Sequence, residues 1–352
     1  MNKLRVGQVG MGWFGNIHLN VWSQLENVEL VAVCDKDPIS LSQQFENKNQ
    51  DSFHKDTSQQ NNLVTLPKHV QRYKNLDAML QESDLDVLDV VVTESEHYNV
   101  VKKGLESGLD VIVEKPFVLT SQESSHLLSL ARKSDSNIYV GQIIRFDPRY
   151  VALYENLQTN SKQIYHLSLQ RNFQSSAHSV YGNVNPFFGA CIHDIDLAIW
   201  LIGYPPSRVM ATTSSWLEKA NPDILIGLLE WEDGPSALIQ NVWHIAASCP
   251  FGFEFETKVF ADERTYILRN EPVLEVWDKT KIHAPEFFFW PQTNGIRHGA
   301  IFQELFHFSQ CAKEKLPTSR VPVQEIHQGM LVAEALTRSA QTKKWEFIEY
   351  KI

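Results

Sequence analysis

Three short stretches carry residue types whose spacing can do chemistry. The first is Gly10-Met11-Gly12-Trp13-Phe14-Gly15, a G-x-G-x-x-G that follows an apolar run at 4–9 and opens an amphipathic stretch at 17–25. In that setting Gly10 permits a tight turn, Gly12 lets main chain approach a pyrophosphate, and Gly15 allows close helix packing. Trp13 and Phe14 complete the loop, and the helix N-terminus offers N–H groups to phosphates. Asp35 ends the next apolar run, 20 residues after the third glycine. Its carboxylate suits both hydroxyls of an adenosine ribose and repels a 2′-phosphate, which favours NAD as cofactor over NADP. Lys36 beside it can neutralise a phosphate, so NADP stays open.

The second stretch, Glu114-Lys115-Pro116, ends an apolar run at 111–113. Ligands of doubly wound sheets sit outside the carboxyl ends of the strands, and a partly desolvated lysine there can polarise a substrate hydroxyl. The third, His193-Asp194-Ile195-Asp196, lies within a helical pattern at 185–203. Asn185 can cap that helix, Pro186 fits its first turn, Gly203 suits the position after its end and Pro205 prevents continuation. On a bare helix His193 reads as a hydrogen-bonded structural histidine. The glycine loop and Lys115 make it a site candidate. Arg145, Arg171, His178 and Tyr181 are weaker candidates for substrate contact, and Arg171 has the geometry to bind a carboxylate or phosphate bidentately.

The elements that must position these residues follow from periodicity. Strands read at 4–9, 28–34, 87–92, 111–113 and 138–140, with helices at 76–81, 97–107 and 121–133. This alternation implies βαβ crossovers and a parallel, doubly wound sheet. From about residue 146 the texture changes to runs at 164–171, 225–231, 237–243, 253–260 and 265–268 that read as antiparallel strands. Asp233-Gly234 is a hairpin turn signal between two of them. A long helical pattern closes the chain at 323–343. The polar stretch 47–62 has almost nothing to bury and reads as a surface insertion. Phe287-Phe288-Phe289-Trp290 reads as core or oligomer interface. At 352 residues, two domains are expected: a nucleotide-binding domain at 1–145 and a substrate and oligomerisation domain at 146–352. The fold class is therefore α/β, a Rossmann sheet followed by an α+β domain.

With 32 basic and 42 acidic residues the net charge is −10, which argues against nucleic acid or an anionic membrane as partner. Four scattered cysteines suggest neither a disulfide framework nor zinc, and no metal site is expected. No apolar run is long enough to span a bilayer, and a cytoplasmic location is expected. No G-x-S-x-G, H-E-x-x-H or P-loop motif competes for the chemistry.

Taken together, Gly10–Gly15 with Asp35, Glu114-Lys115-Pro116, Gly141-Gln142-Ile143-Ile144-Arg145-Phe146 and Ile192-His193-Asp194-Ile195-Asp196 resemble the Gfo/Idh/MocA family of nicotinamide-dependent sugar and polyol dehydrogenases. Trp200-Leu201-Ile202-Gly203 and the closing region with Glu304, Leu305, Phe308 and 333–339 extend the resemblance over nearly the whole chain. It implies a C-terminal open-faced sheet that mediates homodimers or homotetramers, and a small sugar-like substrate. It makes Lys115 the catalytic lysine and His193 the histidine that removes a hydroxyl proton. Glu114 would lie near the nicotinamide ribose, and Thr93 and His97 would line the cofactor cleft. One position departs from the family pattern. Where members carry an aspartate four residues before the histidine, this chain has Gly189, and Asp196 is the nearest replacement as orienting acid; Asp194 reads as structural. The expected function is interconversion of a secondary hydroxyl and a ketone on a sugar, polyol or nucleotide-sugar. A nucleotide-binding sensor without turnover, and a lyase or glycosidase that recycles its NAD, are the alternatives.

Overall fold

The computed structural model describes residues 3–42, 44–46, 63–161, 163–178, 184–217, 219–232, 234–249, 252–270, 273–277, 279, 282–284 and 286–350. The polar stretch 47–62, Tyr181 and Asp233 lie outside the described residues. Two compact units emerge. The first holds the described residues up to 146 together with 286–323, and the second holds 147–285 and 324–350. The sequence places everything after 145 in one domain, whereas residues 286–323 cluster with the first unit. Local periodicity does not register a chain that crosses back, which is why this return was not anticipated.

The first unit is built on strands β1 (Leu4–Val9), β2 (Val28–Cys34), β3 (Gln71–Tyr73), β4 (Val87–Val90), β5 (Asp110–Val113) and β6 (Ile138–Val140), in the order β3-β2-β1-β4-β5-β6. Every pairing is parallel. This is the doubly wound order expected of a Rossmann sheet. Strands β4, β5 and β6 are buried at every position, as expected for a parallel sheet covered on both faces. Helices α1 (Trp13–Trp22), α2 (Leu76–Glu82), α3 (His97–Glu106) and α4 (Ser121–Ser134) belong to this unit, as does the returning helix Gly299–Lys313, which packs on α1 and β1. Asn75 caps α2 and Thr120 caps α4 through their side-chain oxygens, while Asp135 closes α4 in the left-handed region.

Register decides where chemistry can occur. Val9 pairs with both Cys34 and Val90, Val90 pairs with Val113, and Val113 pairs with Val140. The five strand ends are therefore level. The residues that follow them, Gly10, Asp35, Val91, Glu114 and Gly141, form one edge of the sheet.

The second unit opens with helix α5 (Pro148–Asn160), whose N-terminus is capped by Asp147. Its sheet comprises β7 (Ile164–Phe173), β8 (Arg208–Ser214), β9 (Ile224–Glu230), β10 (Ser236–Val242), β11 (Phe253–Ala261), β12 (Arg264–Arg269) and β13 (Glu346–Phe347), in the order β12-β11-β7-β10-β9-β8-β13. The sheet is mixed: β7 pairs antiparallel with β11 but parallel with β10, so one of the strands read as antiparallel makes a crossover contact. Along β9 and β10 burial alternates, with Leu225, Leu229, Ala237 and Ile239 inward. The opposite face carries Ile226 and Phe260, each 38% exposed, with Leu228 and Leu238 paired across it. The helical pattern at 185–203 is two helices, α6 (Pro186–Gly189) and α7 (Ile192–Ile202). Ala190 and Cys191 both donate to the Pro186 carbonyl, and a fresh set of bonds starts on the Cys191 carbonyl, so the ladder breaks between them. The final helix runs Val323–Thr342, as its periodicity predicts.

Candidate active site

In the glycine loop Gly10 has φ +96°, and a Cβ there would lie 2.0 Å from the Val91 carbonyl oxygen. At Gly15 a Cβ would lie 2.2 Å from the Gly10 carbonyl oxygen. Both positions therefore exclude any side chain. Gly12 differs, because its Cβ would meet nothing within 4 Å. It stands at the N-cap of α1, whose N-terminus no side chain caps. A tight turn, open space and an uncapped helix end together form a cradle that fits a pyrophosphate. Buried Gln8 holds the loop from below, its Nε2 donating to the carbonyls of Gly10 (3.0 Å) and Gly15 (2.7 Å). Asn16 donates to the Met11 and Gly12 carbonyls.

Asp35 meets the loop directly. Its Oδ2 accepts from the Met11 N–H at 2.6 Å and its Oδ1 from the Asp37 N–H at 2.8 Å. The carboxylate is thus fixed beside the loop with lone pairs left for ribose hydroxyls. Lys36 does not face Asp35 but pairs with Glu96, Nζ to Oε2 at 3.2 Å. Thr93 precedes a short 3-10 turn, Glu94–Glu96, at the end of β4. His97 is 1% exposed, with Nδ1 2.8 Å from the Pro116 carbonyl oxygen and Nε2 3.1 Å from that of Val92. It ties the cis Lys115–Pro116 turn to the end of β4, so its ring serves the scaffold.

Behind Lys115 lies a cluster of ionisable groups in which Glu114 meets His18 and Asp89, two residues that the sequence reading does not single out. Glu114 Oε2 accepts from the Lys115 main-chain N–H at 3.2 Å, and its Oε1 lies 3.4 Å from Nε2 of His18. His18 Nδ1 faces Asp89 at 3.0 Å, and Asp89 also accepts from the Trp22 indole at 2.6 Å. Burial opposes a charge on His18, but Asp89 and then Glu114 outweigh it and push its pKa up to about 10. His18 is therefore an imidazolium between two carboxylates. Glu304, fully buried on the returning helix, is held well above the usual carboxylate range, first by burial and then by the charge of Glu114, with His18 opposing. Its surroundings thus favour the neutral acid over the carboxylate. The available signal was a polar residue inside an apolar run: Asp89 sits in Val87–Val90, and His18 in the apolar first helix.

An aromatic group flanks the loop on the outside. Trp290 packs edge-on against Trp13 (5.5 Å) and Phe14 (5.6 Å), and Phe14 lies 5.2 Å from His18. Glu286 fixes the Trp290 segment by accepting from the N–H groups of Phe288, Phe289 and Trp290. Of the 287–290 aromatics only Phe289 is buried, while Phe287 is exposed.

In the second unit, Arg171 donates through Nε and Nη2 to both oxygens of Asp194 (3.0–3.2 Å), and both residues are buried. The guanidinium also lies over the Phe255 ring at 4.2 Å. Arg171 is thus committed to the fold, and so is Asp194. Arg145, in the first unit, is fully buried and donates to the Arg320 carbonyl, and His178 packs against Trp243. Asp196 is buried and His193 partly exposed on α7. Gly189 closes the separate helix α6, so the four-residue spacing to His193 does not correspond to one turn of a continuous helix.

Residues 4–142 match the family model described as the oxidoreductase family with an NAD-binding Rossmann fold, GFO/IDH/MocA, and residues 171–266 match the GFO/IDH/MocA C-terminal domain. The chain belongs to the GFO/IDH/MocA family. It is an NAD-dependent oxidoreductase, and the cradle described above fits that cofactor. Among its relatives, the rhizopine catabolism protein MocA of Rhizobium meliloti is 23% identical over 349 residues, covering 96% of this chain and 95% of that one. An inositol 2-dehydrogenase of Salmonella typhimurium is 20% identical over 350 residues, covering 98% and 97%. The crystal structure of GenD2 from gentamicin A biosynthesis, in complex with NAD, has the same fold, with a TM-score of 0.80 at 18% identity over 99% of this chain and 97% of that one. For this GFO/IDH/MocA member, no described helix is long and apolar enough to cross a membrane.

Proposed function

We propose that this protein interconverts a secondary hydroxyl and a ketone on a cyclic polyol or sugar, with Lys115, His193 and Asp196 as its proton-handling residues. The observation that carries the reading is the level edge of the first sheet, where the glycine loop, Asp35 and Lys115 follow the ends of β1, β2 and β5. The inositol 2-dehydrogenase similar over the whole chain supports a polyhydroxylated ring as the substrate class.

NAD, when bound, supplies the two-electron acceptor for the carbinol carbon. Gly10, Gly12, Trp13, Phe14 and Gly15 hold its pyrophosphate end, Asp35 its adenosine ribose, and Thr93 stands in the turn beside them. Lys115 holds the substrate oxygen and favours its deprotonation, His193 takes the proton, and Asp196 orients the histidine. Glu114 and His97 act on Lys115 from the protein side, the first through its N–H and the second through the following carbonyl. The exposed apolar face with Ile226, Leu228, Leu238 and Phe260 is where copies of the chain pair.

The test has two parts. Energy transfer from the protein's nine tryptophans to bound NADH should saturate, with NADH preferred over NADPH. A screen of inositols and sugars with NAD should then identify a substrate on which Lys115→Met lowers turnover by about 10²–10⁴-fold and leaves the NADH Kd within about twofold. Unchanged turnover in that variant overturns the assignment of Lys115.

A further inference from the structure

The ion pair between Lys36 and Glu96 sits in an informative place. Lys36 follows β2, and Glu96 lies in the turn after β4, and these two strands flank β1 on either side. Strands in a sheet are ~4.8 Å apart, so the pair reaches across roughly 10 Å, over the carboxyl end of β1 where the glycine loop begins. Asp35, one residue before Lys36, is fixed to that same loop by the Met11 N–H. The lysine that follows Asp35 is therefore held by an acid from across the cleft, and the lysine-acid pair borders the place where the adenosine ribose meets Asp35.

We propose that Glu96 is a coenzyme-specificity residue: by holding Lys36 across the end of β1 it withholds from a 2′-phosphate the cation directly after Asp35, and so enforces NAD over NADP. Asp35 alone repels the phosphate. Lys36, released, would offset that repulsion by standing opposite the phosphate. Glu96 prevents this by occupying the ammonium group; its own screened charge on the same rim is the smaller effect. Glu94, in the same turn, adds to the acidity of that rim. Both partners are well exposed, at 84% and 43% of their side chains, so the pair can exchange at little cost and its effect on affinity is modest.

The experiment is a double-mutant cycle read by coenzyme binding, with no substrate needed. NADH and NADPH are titrated by tryptophan energy transfer into the wild type, Glu96→Gln, Lys36→Gln and the double variant. Glu96→Gln should tighten NADPH binding about fivefold, the scale expected for one screened charge facing a phosphate dianion at the rim. NADH affinity should move less than about twofold, which also shows that the loop is intact. In the Lys36→Gln background the same Glu96→Gln change should improve NADPH binding by less than about twofold, because the released lysine is what binds the phosphate. The fivefold gain should shrink as salt rises toward ~0.5 M. Equal gains in the two backgrounds would overturn the proposal, since Glu96 would then act by its own charge and not through Lys36. No gain in either would overturn it as well. A wild type that binds neither coenzyme would refute the cofactor reading on which this inference rests, a result distinct from both.

Discussion

Replacing Glu304 with Gln should make the protein's stability depend on pH in a way that reports the buried cluster behind Lys115. In the folded chain the Glu304 carboxyl has no exposed surface, and burial together with the Glu114 charge keeps it protonated well above its ordinary 4.5. In the unfolded chain it ionises near that ordinary value. Between the two values the native state binds a proton that the unfolded state has released, so wild-type stability falls as pH rises. The slope for one proton is ~1.4 kcal/mol per pH unit. Gln cannot ionise and lacks this dependence. The stability difference, variant minus wild type, should therefore grow as pH rises above about 4.5, by at most ~1.4 kcal/mol per pH unit, whatever constant offset the amide introduces. Urea unfolding at several pH values, followed by tryptophan fluorescence on the transition of the first unit, measures that difference directly. Parallel stability curves for the two proteins would refute the reasoning, because they would mean that Glu304 ionises alike in both states.

His18→Gln should show the same sign of pH dependence, shifted to a higher pH range. The folded pKa of His18 is raised to about 10, so its contribution is fully present below the unfolded value of 6.5 and is lost as pH climbs through about 10. Removing this cation leaves Asp89 and Glu114 without their shared partner, and about 3–5 kcal/mol should be lost at neutral pH, with the deficit closing above pH 10. A deficit independent of pH, measured by the same urea titrations, would count against the imidazolium. On the sheet of the second unit, Ile226→Glu should convert an assembled species to monomer in sedimentation velocity without altering the circular dichroism spectrum. A wild type that sediments as a monomer would dispose of the pairing face.

Much of the first unit was legible because its requirements are local. A glycine loop after a strand, an acid at the end of the next strand and a lysine at the end of a third announce a doubly wound sheet through turn chemistry alone. Helix ends were equally readable: the last helix begins at Val323, and Gly203 closes α7 in the left-handed region. What escaped was long-range. His18 and Asp89 are 71 residues apart, and Glu304 reaches the same cluster from a helix that returns to the first unit after the second has begun. No periodicity encodes such a meeting. Gly189 misled for a related reason, since counting four residues to His193 assumes a continuous helix and the ladder breaks at Ala190–Cys191. Arg171 drew attention as an anion binder because a free guanidinium would have been one, and its partner Asp194 is 23 residues away in sequence but adjacent in space.

The cluster itself argues that the first unit is built around Lys115 and not merely stable near it. A fully buried carboxyl pushed toward its neutral form, beside an imidazolium held between two carboxylates, contributes less to stability at neutral pH than apolar residues of the same volume would. Positions that violate local rules of burial are expected at functional sites. Here the violations do not scatter. Asp89 lies in β4, Glu114 follows β5, His18 lies on α1, and all converge behind the carboxyl edge where the glycine loop and Lys115 emerge. Glu114 connects them to that edge through the Lys115 N–H, so the charge state of the interior fixes the main chain from which the lysine projects. A chain that had kept the nucleotide fold but had no use for Lys115 could fill those interior positions with leucine or methionine at no loss. The unfavourable cluster is thus itself an argument for turnover over a silent sensor.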